Sequence, residues 1–118
     1  MIILRTKLRN AINKQNNNKN NLTFKLKNIT INGAKKGCSG FIINNDNSTV
    51  IYVNTEGITW SNQPTKYMYR YAKDDKDYTG YTNRWATGLD NLAKLIVKHI
   101  EEEPNEFNEP SIRKNKSI

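Results

Sequence analysis

Tyr67, Tyr69 and Tyr71 alternate with Met68, Arg70 and Ala72. A period of two is the pattern of a strand and puts the three rings on one face of a sheet. Rings placed side by side have two uses. They can cover a core with their hydroxyls at its edge, or they can stand outward as a platform on which bases stack. Tyrosine is favoured in strands of any context, which weights the choice towards the core. The alternation opens a longer stretch, residues 66–85 (KYMYRYAKDDKDYTGYTNRW), holding five of the six tyrosines and one of the two tryptophans. Within it, residues 73–77 have no apolar member and read as a loop, and Gly80, between Tyr78 and Tyr81, marks a tight turn.

Other segments carry the same period. Leu22, Phe24 and Leu26 alternate with Thr23, Lys25 and Lys27, a half-buried strand with a cationic outer side. The apolar parity then moves to Ile29 and Ile31, which predicts a bulge near Lys27 and Asn28. Asn32-Gly33 is a turn signal, and residues 34–39, with the adjacent Lys35 and Lys36, read as a loop. Residues 40–54 form a hairpin pattern, two β-rich runs around the turn-forming NNDNS of residues 44–48. Residues 50–53 are apolar at both parities, as expected of a strand central in its sheet. Gly57, Asn62 and Pro64 mark a long connection anchored by Ile58 and Trp60.

Two segments have a helical period instead. In residues 3–14, Leu4, Leu8, Ala11 and Ile12 form one stripe, with Arg5, Lys7 and Arg9 off it. A helix this short persists only by docking, and its apolar side is too small to hold it on a membrane. Residues 15–21 (QNNNKNN) read as a polar loop. Trp85, Leu89, Leu92, Ala93, Ile96 and Ile100 fall on a second stripe, with Thr87 and Asp90 as a capping pair and Pro104 just beyond the end. Glu101, Glu102 and Glu103 oppose the helix dipole, so fraying is expected there.

Helix, three or four antiparallel strands, then helix predicts a two-layer α+β domain over residues 1–104, with both helices on one face of the sheet. Residues 105–118 read as a disordered polar tail. The order resembles that of double-stranded-RNA-binding domains. That family's Gly-Pro-X-His loop and the lysine cluster opening its second helix are absent, and Arg84, Lys94 and Lys98 are the nearest basic residues, so membership is not assigned.

The chain carries a net charge of +8, and all of the excess lies in residues 1–45, which hold nine Lys or Arg and no Asp or Glu. Such one-sidedness suits a polyanionic partner. If Leu22, Phe24, Leu26 and the three strand tyrosines face the helices, parity places Lys25, Lys27 and Arg70 together on the other face, with Arg5, Arg9, Lys35 and Lys36 at its rim. If the tyrosines face outward instead, Tyr67 and Tyr69 are themselves contacts. Tyr52, Tyr67, Tyr69, Tyr78 and Tyr81 are candidate aromatic contacts. We expect a small nucleic-acid-binding protein of DNA or RNA. The alternative is an inhibitor or adaptor that sets a basic, tyrosine-rich surface against an acidic protein. Nineteen asparagines suit an AT-rich genome, such as a low-GC bacterium or its phages and plasmids.

Catalytic chemistry has little to work with. One His and one Cys exclude a zinc site of four such ligands within a monomer, and no glycine-rich phosphate loop occurs. His99 reads as a boundary residue, and the lysines interleaved with Asp74, Asp75 and Asp77 argue for a solvated turn over a cation site. Residues 40–57 resemble the opening hairpin of GIY-YIG nucleases only in outline, because Phe41-Ile42 and Tyr52-Val53-Asn54 lack the family's first tyrosine and its glycine. We expect no enzyme and no cofactor. No apolar run reaches the roughly 18 residues of a membrane span. The opening MIILRTKLRN does not read as a signal peptide, and a single cysteine forms no internal disulfide, so a cytoplasmic location is expected.

Overall fold

The structure, a computed structural model, describes residues 4–58, 65–78 and 81–102, except the side chains of residues 31, 34, 35, 57 and 58. The elements run α1 (Leu4–Asn16), β1 (Leu22–Ile31), β2 (Ala34–Asn44), β3 (Thr49–Ile58), β4 (Lys66–Ala72), β5 (Arg84–Thr87) and α2 (Leu89–Ile100). The five strands form one open antiparallel sheet in the order β1-β2-β3-β4-β5. Both helices lie on one face, α1 over β1 and β2, α2 over β3, β4 and β5. The chain is therefore α+β with a helix at each end of the sheet sequence, as its pattern predicts, and with five strands where three or four are expected. The doubly apolar strand, β3, is central.

The helix-side core follows the parities. Leu8 and Ile12 of α1 and Leu92, Ala93, Ile96 and Ile100 of α2 meet Leu26, Ile42, Ile51, Val53, Tyr67, Tyr69 and Tyr71 from the strands. The tyrosine rings are thus core. Tyr71 donates its hydroxyl hydrogen to the carbonyl of His99 at 3.0 Å, so the polar tip of a buried ring is satisfied at the end of α2.

Several local expectations are corrected. Residues 34–39 are not a loop but the first half of β2, because Asn32 (φ 54) and Gly33 (φ 80) make a two-residue turn whose positive φ angles match the twist of the flanking strands. The register shifts between Ile29 and Thr30, not near Lys27, and the extra residue lies in β2, where Gly37 and Lys35 are the successive partners. Gly40 (φ 148) is obligatory, because a Cβ there would stand 2.0 Å from the carbonyl oxygen of Lys25. Residues 15–16 extend α1, and the loop starts at Asn17 and Asn18, both with positive φ, as befits a helix C-terminus. Trp85 is not on the stripe of α2. Gly88 (φ 85) separates the two, Trp85 lies in β5, and Thr87 makes no cap. Trp60, Gly80, Pro104 and the expected tail at 105–118 lie outside the described residues.

The asparagines, which composition alone leaves without a folding role, hold the turns and the end of α2. Buried Asn44 donates from Nδ2 to the carbonyl of Ile100 at 3.1 Å and accepts the N–H of Asp46 at 2.9 Å. Asn47 Nδ2 reaches the same carbonyl at 3.2 Å, and Thr49 Oγ1 donates to the carbonyl of Glu102 at 3.1 Å. The last carbonyls of a helix have no partner within it. Here the β2–β3 turn supplies them and docks α2 on the hairpin.

Two kinds of substitution test this packing. Leu92→Ala or Ile96→Ala should lower the unfolding free energy by about 2–5 kcal/mol, since both side chains are fully buried. Asn44→Ala removes the buried amide that bonds both the Ile100 carbonyl and the N–H of Asp46, and should cost about 1–3 kcal/mol. Denaturant titration measures both, and a loss under about 0.5 kcal/mol at either helix position would show that the α2 stripe does not pack on the sheet.

Candidate nucleic-acid interface

The sheet face away from the helices, the outer face, carries the residues of the other parity. Register alignment places Lys25, Phe41, Tyr52 and Arg70 in one cross-strand row, and Lys27, Ser39, Asn54, Met68 and Trp85 in the next. Parity thus brings Lys25, Lys27 and Arg70 to one face, as the sequence predicts. Their environments differ.

Residues 73–78 leave the end of β4 and fold back over the first row as a flap. The Asp75 carboxylate pairs with the Lys25 ammonium on β1, and that hydrogen bond holds the carboxyl below its usual range. The Tyr78 ring packs on Phe41 and Tyr52 with centroids 5.3 and 5.8 Å away. Within the flap, the N–H of Lys73 donates to Asp77 and that of Lys76 to Asp74. These three aspartates therefore serve a turn and an ion pair.

Arg70 is the correction this flap imposes. It is only 2% exposed. Its guanidinium lies 4.6 Å from the Tyr52 ring centroid and donates to the carbonyls of Tyr71 (3.0 Å) and Asp77 (2.8 Å). Arg70 therefore anchors the flap and presents no cation to solvent. Phe41, Val50 and Ala72 are buried beneath the same cover.

The remaining basic candidates gather around β1, an edge strand. Lys27 is exposed on the outer face. On the helix side, the Arg9 guanidinium lies 5.6 Å from the Phe24 ring centroid. Lys36 is exposed near the β1–β2 turn, and the side chain of Lys35 lies outside the described part. Arg5 is half-buried, and its Nε has no hydrogen-bond partner among the described residues.

The aromatic candidates divide in the same way. Tyr67 and Tyr69 are buried under the helices, and Tyr81 is half-buried against that core, so none of the three is an outward contact. Tyr52 is half-buried under the flap. Tyr78 is 61% exposed, and Trp85, absent from the predicted contacts, is 55% exposed on the outer face. RWAT has no hydrophobic alternation, so the one local cue that Trp85 lies outside α2 was Gly88 just after that run.

Two polar clusters complete the description. Cys38 is buried, its N–H donating to Thr55 Oγ1 at 2.9 Å, and burial pushes its thiol above the usual range. His99 sits beside Tyr69 and Tyr71, with ring centroids 5.6 and 5.9 Å away. Burial lowers its pKa, with Arg84 adding to the effect.

Compared with protein-family models, with curated proteins and with solved structures, the chain matches none. No helix among the described residues is long and apolar enough to cross a membrane.

The Tyr71–His99 cluster predicts how stability varies with pH. Burial pushes Tyr71 up to about 12, from an ordinary value of 10, so above pH 10 the unfolded chain gives up this proton before the folded one does. Stability should fall between pH 10 and 12. For His99 the folded state resists protonation, so stability should also fall as pH drops below 6.5. Denaturant midpoints should form a plateau between these limits, and Tyr71→Phe should shallow the alkaline decline. A Tyr71→Phe decline as steep as the parent's would place its cause elsewhere.

Proposed function

We propose that this chain is a non-enzymatic nucleic-acid-binding protein acting in the cytoplasm, whose basic side is α1 together with the β1–β2 hairpin. The observation that supports this is the segregation of charge in the fold. The acid-free first 45 residues hold all of α1, β1 and β2, on adjoining parts of the molecule. Arg9 on the helix side, Lys27 on the outer side and Lys36 near the turn bracket the β1 edge. Phosphates are held by such cations without reference to base sequence, so binding should be broad and strongly dependent on salt.

The test is the affinity of mixed-sequence DNA and RNA oligonucleotides across a salt series. With about three to five phosphates neutralised, log affinity should fall against log salt with a slope of about −3 to −4.5 for duplex DNA and about −2 to −3.5 for single strands. Charge reversal of Arg9, Lys27 and Lys36 together should abolish binding while the melting temperature stays near the parent's. Arg70 belongs outside this set, since its reversal would unfold the flap. A parent protein that binds no oligonucleotide at low salt would overturn the proposal and leave an acidic protein as the partner to seek.

A further inference from the structure

Among the described residues, the large hydrophobic side chains that stand exposed are Tyr78 and Trp85. Both belong to the outer face. Tyr78 lies over Phe41 and Tyr52, and Trp85 is the cross-strand partner of Met68. Two exposed aromatic rings on a face that also carries cations are the combination a stacking ligand uses. The same face carries exposed Lys27 at the β1 end of the Trp85 row and exposed Lys66 on β4, two residues from Met68 at the same parity. Five strands at the usual spacing of about 4.8 Å put Lys27 and Trp85 about 19 Å apart. The polar Ser39 and Asn54 lie between them.

We infer that the uncovered part of the outer sheet face binds single-stranded nucleic acid, with Trp85 and Tyr78 stacking on unpaired bases and Lys27 and Lys66 holding the flanking phosphates. This rests on the nucleic-acid function proposed above and adds the class of strand. The chemistry separates single strands from duplexes. In a duplex the bases are already stacked on each other, so an outward ring on a sheet has no free base to meet. A single strand offers a π-face at every nucleotide, and positive charge beside exposed rings is the combination that such strands select. An acidic protein surface would satisfy the lysines but meets the rings only where it carries planar side chains of its own, whereas a single strand presents a base at every step.

The flap shapes this surface. It occupies the row containing Lys25, Tyr52 and Arg70, matching the Lys25 ammonium with a carboxylate and the Tyr52 ring with another ring. The strand's path is thereby confined to the row of Lys27 and Trp85, with Tyr78 at its border.

The experiment compares a fluorescein-labelled 15-nucleotide oligo(dT) with a 15-base-pair duplex of mixed sequence, at one low salt concentration. Probes are titrated with the full chain and with Trp85→Ala, Trp85→Phe and Tyr78→Leu. Leucine is chosen at 78 because it still covers Phe41 while removing the stacking ring, and the melting temperature of each variant is recorded. The expected result is tighter binding of oligo(dT) than of duplex. Trp85→Ala and Tyr78→Leu should each lose about tenfold or more on oligo(dT) with little change on duplex, and Trp85→Phe should recover most of that loss. Equal affinity for both probes, with no effect of the ring substitutions, would overturn stacking on this face while leaving the electrostatic function intact. Binding of neither probe by the parent would overturn both, and the exposed rings would then belong to a protein contact.

Discussion

The central strand of this sheet is apolar on both sides, and both sides must be covered. Ile51 and Val53 point to the helices, while Val50 and Tyr52 point away from them. Two amphipathic helices cover one face only, so a second cover is needed, and the segment after β4 provides it. Arg70 is its central hold, with the Lys25–Asp75 pair and the Tyr78 ring beside it. The planar guanidinium of Arg70 reaches a carbonyl of its own strand, a carbonyl of the flap and the face of Tyr52 at once, which an ammonium could not do. Burial works against its positive charge, and Asp77 and Tyr52 offset part of that cost. The outer face is consequently divided into a closed half under the flap and an open half towards Lys27, Met68 and Trp85.

Charge is divided along a related line. Among the described residues, the basic first 45 residues meet carboxylates of the nearly neutral remainder at two exposed contacts, Lys25 with Asp75 and Lys19 with Glu101. Exposed pairs of this kind contribute little to stability. Their effect is on availability, because they neutralise two lysines and leave the excess charge on α1, the β1 edge and the β1–β2 turn. Among the described residues, the cations without a carboxylate partner are therefore fewer than composition suggests.

The β2–β3 turn joins the two layers. Asn44, Asn47 and Thr49 complete the hydrogen bonding of the last carbonyls near the end of α2, against the unfavourable charge of Glu101 and Glu102. An end expected to fray is thus held by side chains from a distant hairpin. Asparagine suits this position because its amide donates to a carbonyl while its oxygen accepts a backbone N–H, as Asn44 does.

Periodicity alone determined the helices, the central place of β3, the common face of Tyr67, Tyr69 and Tyr71 and that of Lys25 and Lys27. Each of these depends on which side of a local element a residue faces, and three or four neighbouring residues encode that. The same patterns placed Trp85 on a helix, residues 34–39 in a loop and Arg70 at the surface. Correcting the first needed the backbone angle of Gly88, and correcting the second needed the pairing partners that turn a lysine- and glycine-rich run into a strand. Arg70 depended on a loop whose residues are all polar until Tyr78, so no hydrophobic period announces that it folds back. Only the tertiary structure decided which cations stay in water, because burial by a returning segment is set by contacts between residues far apart in the chain.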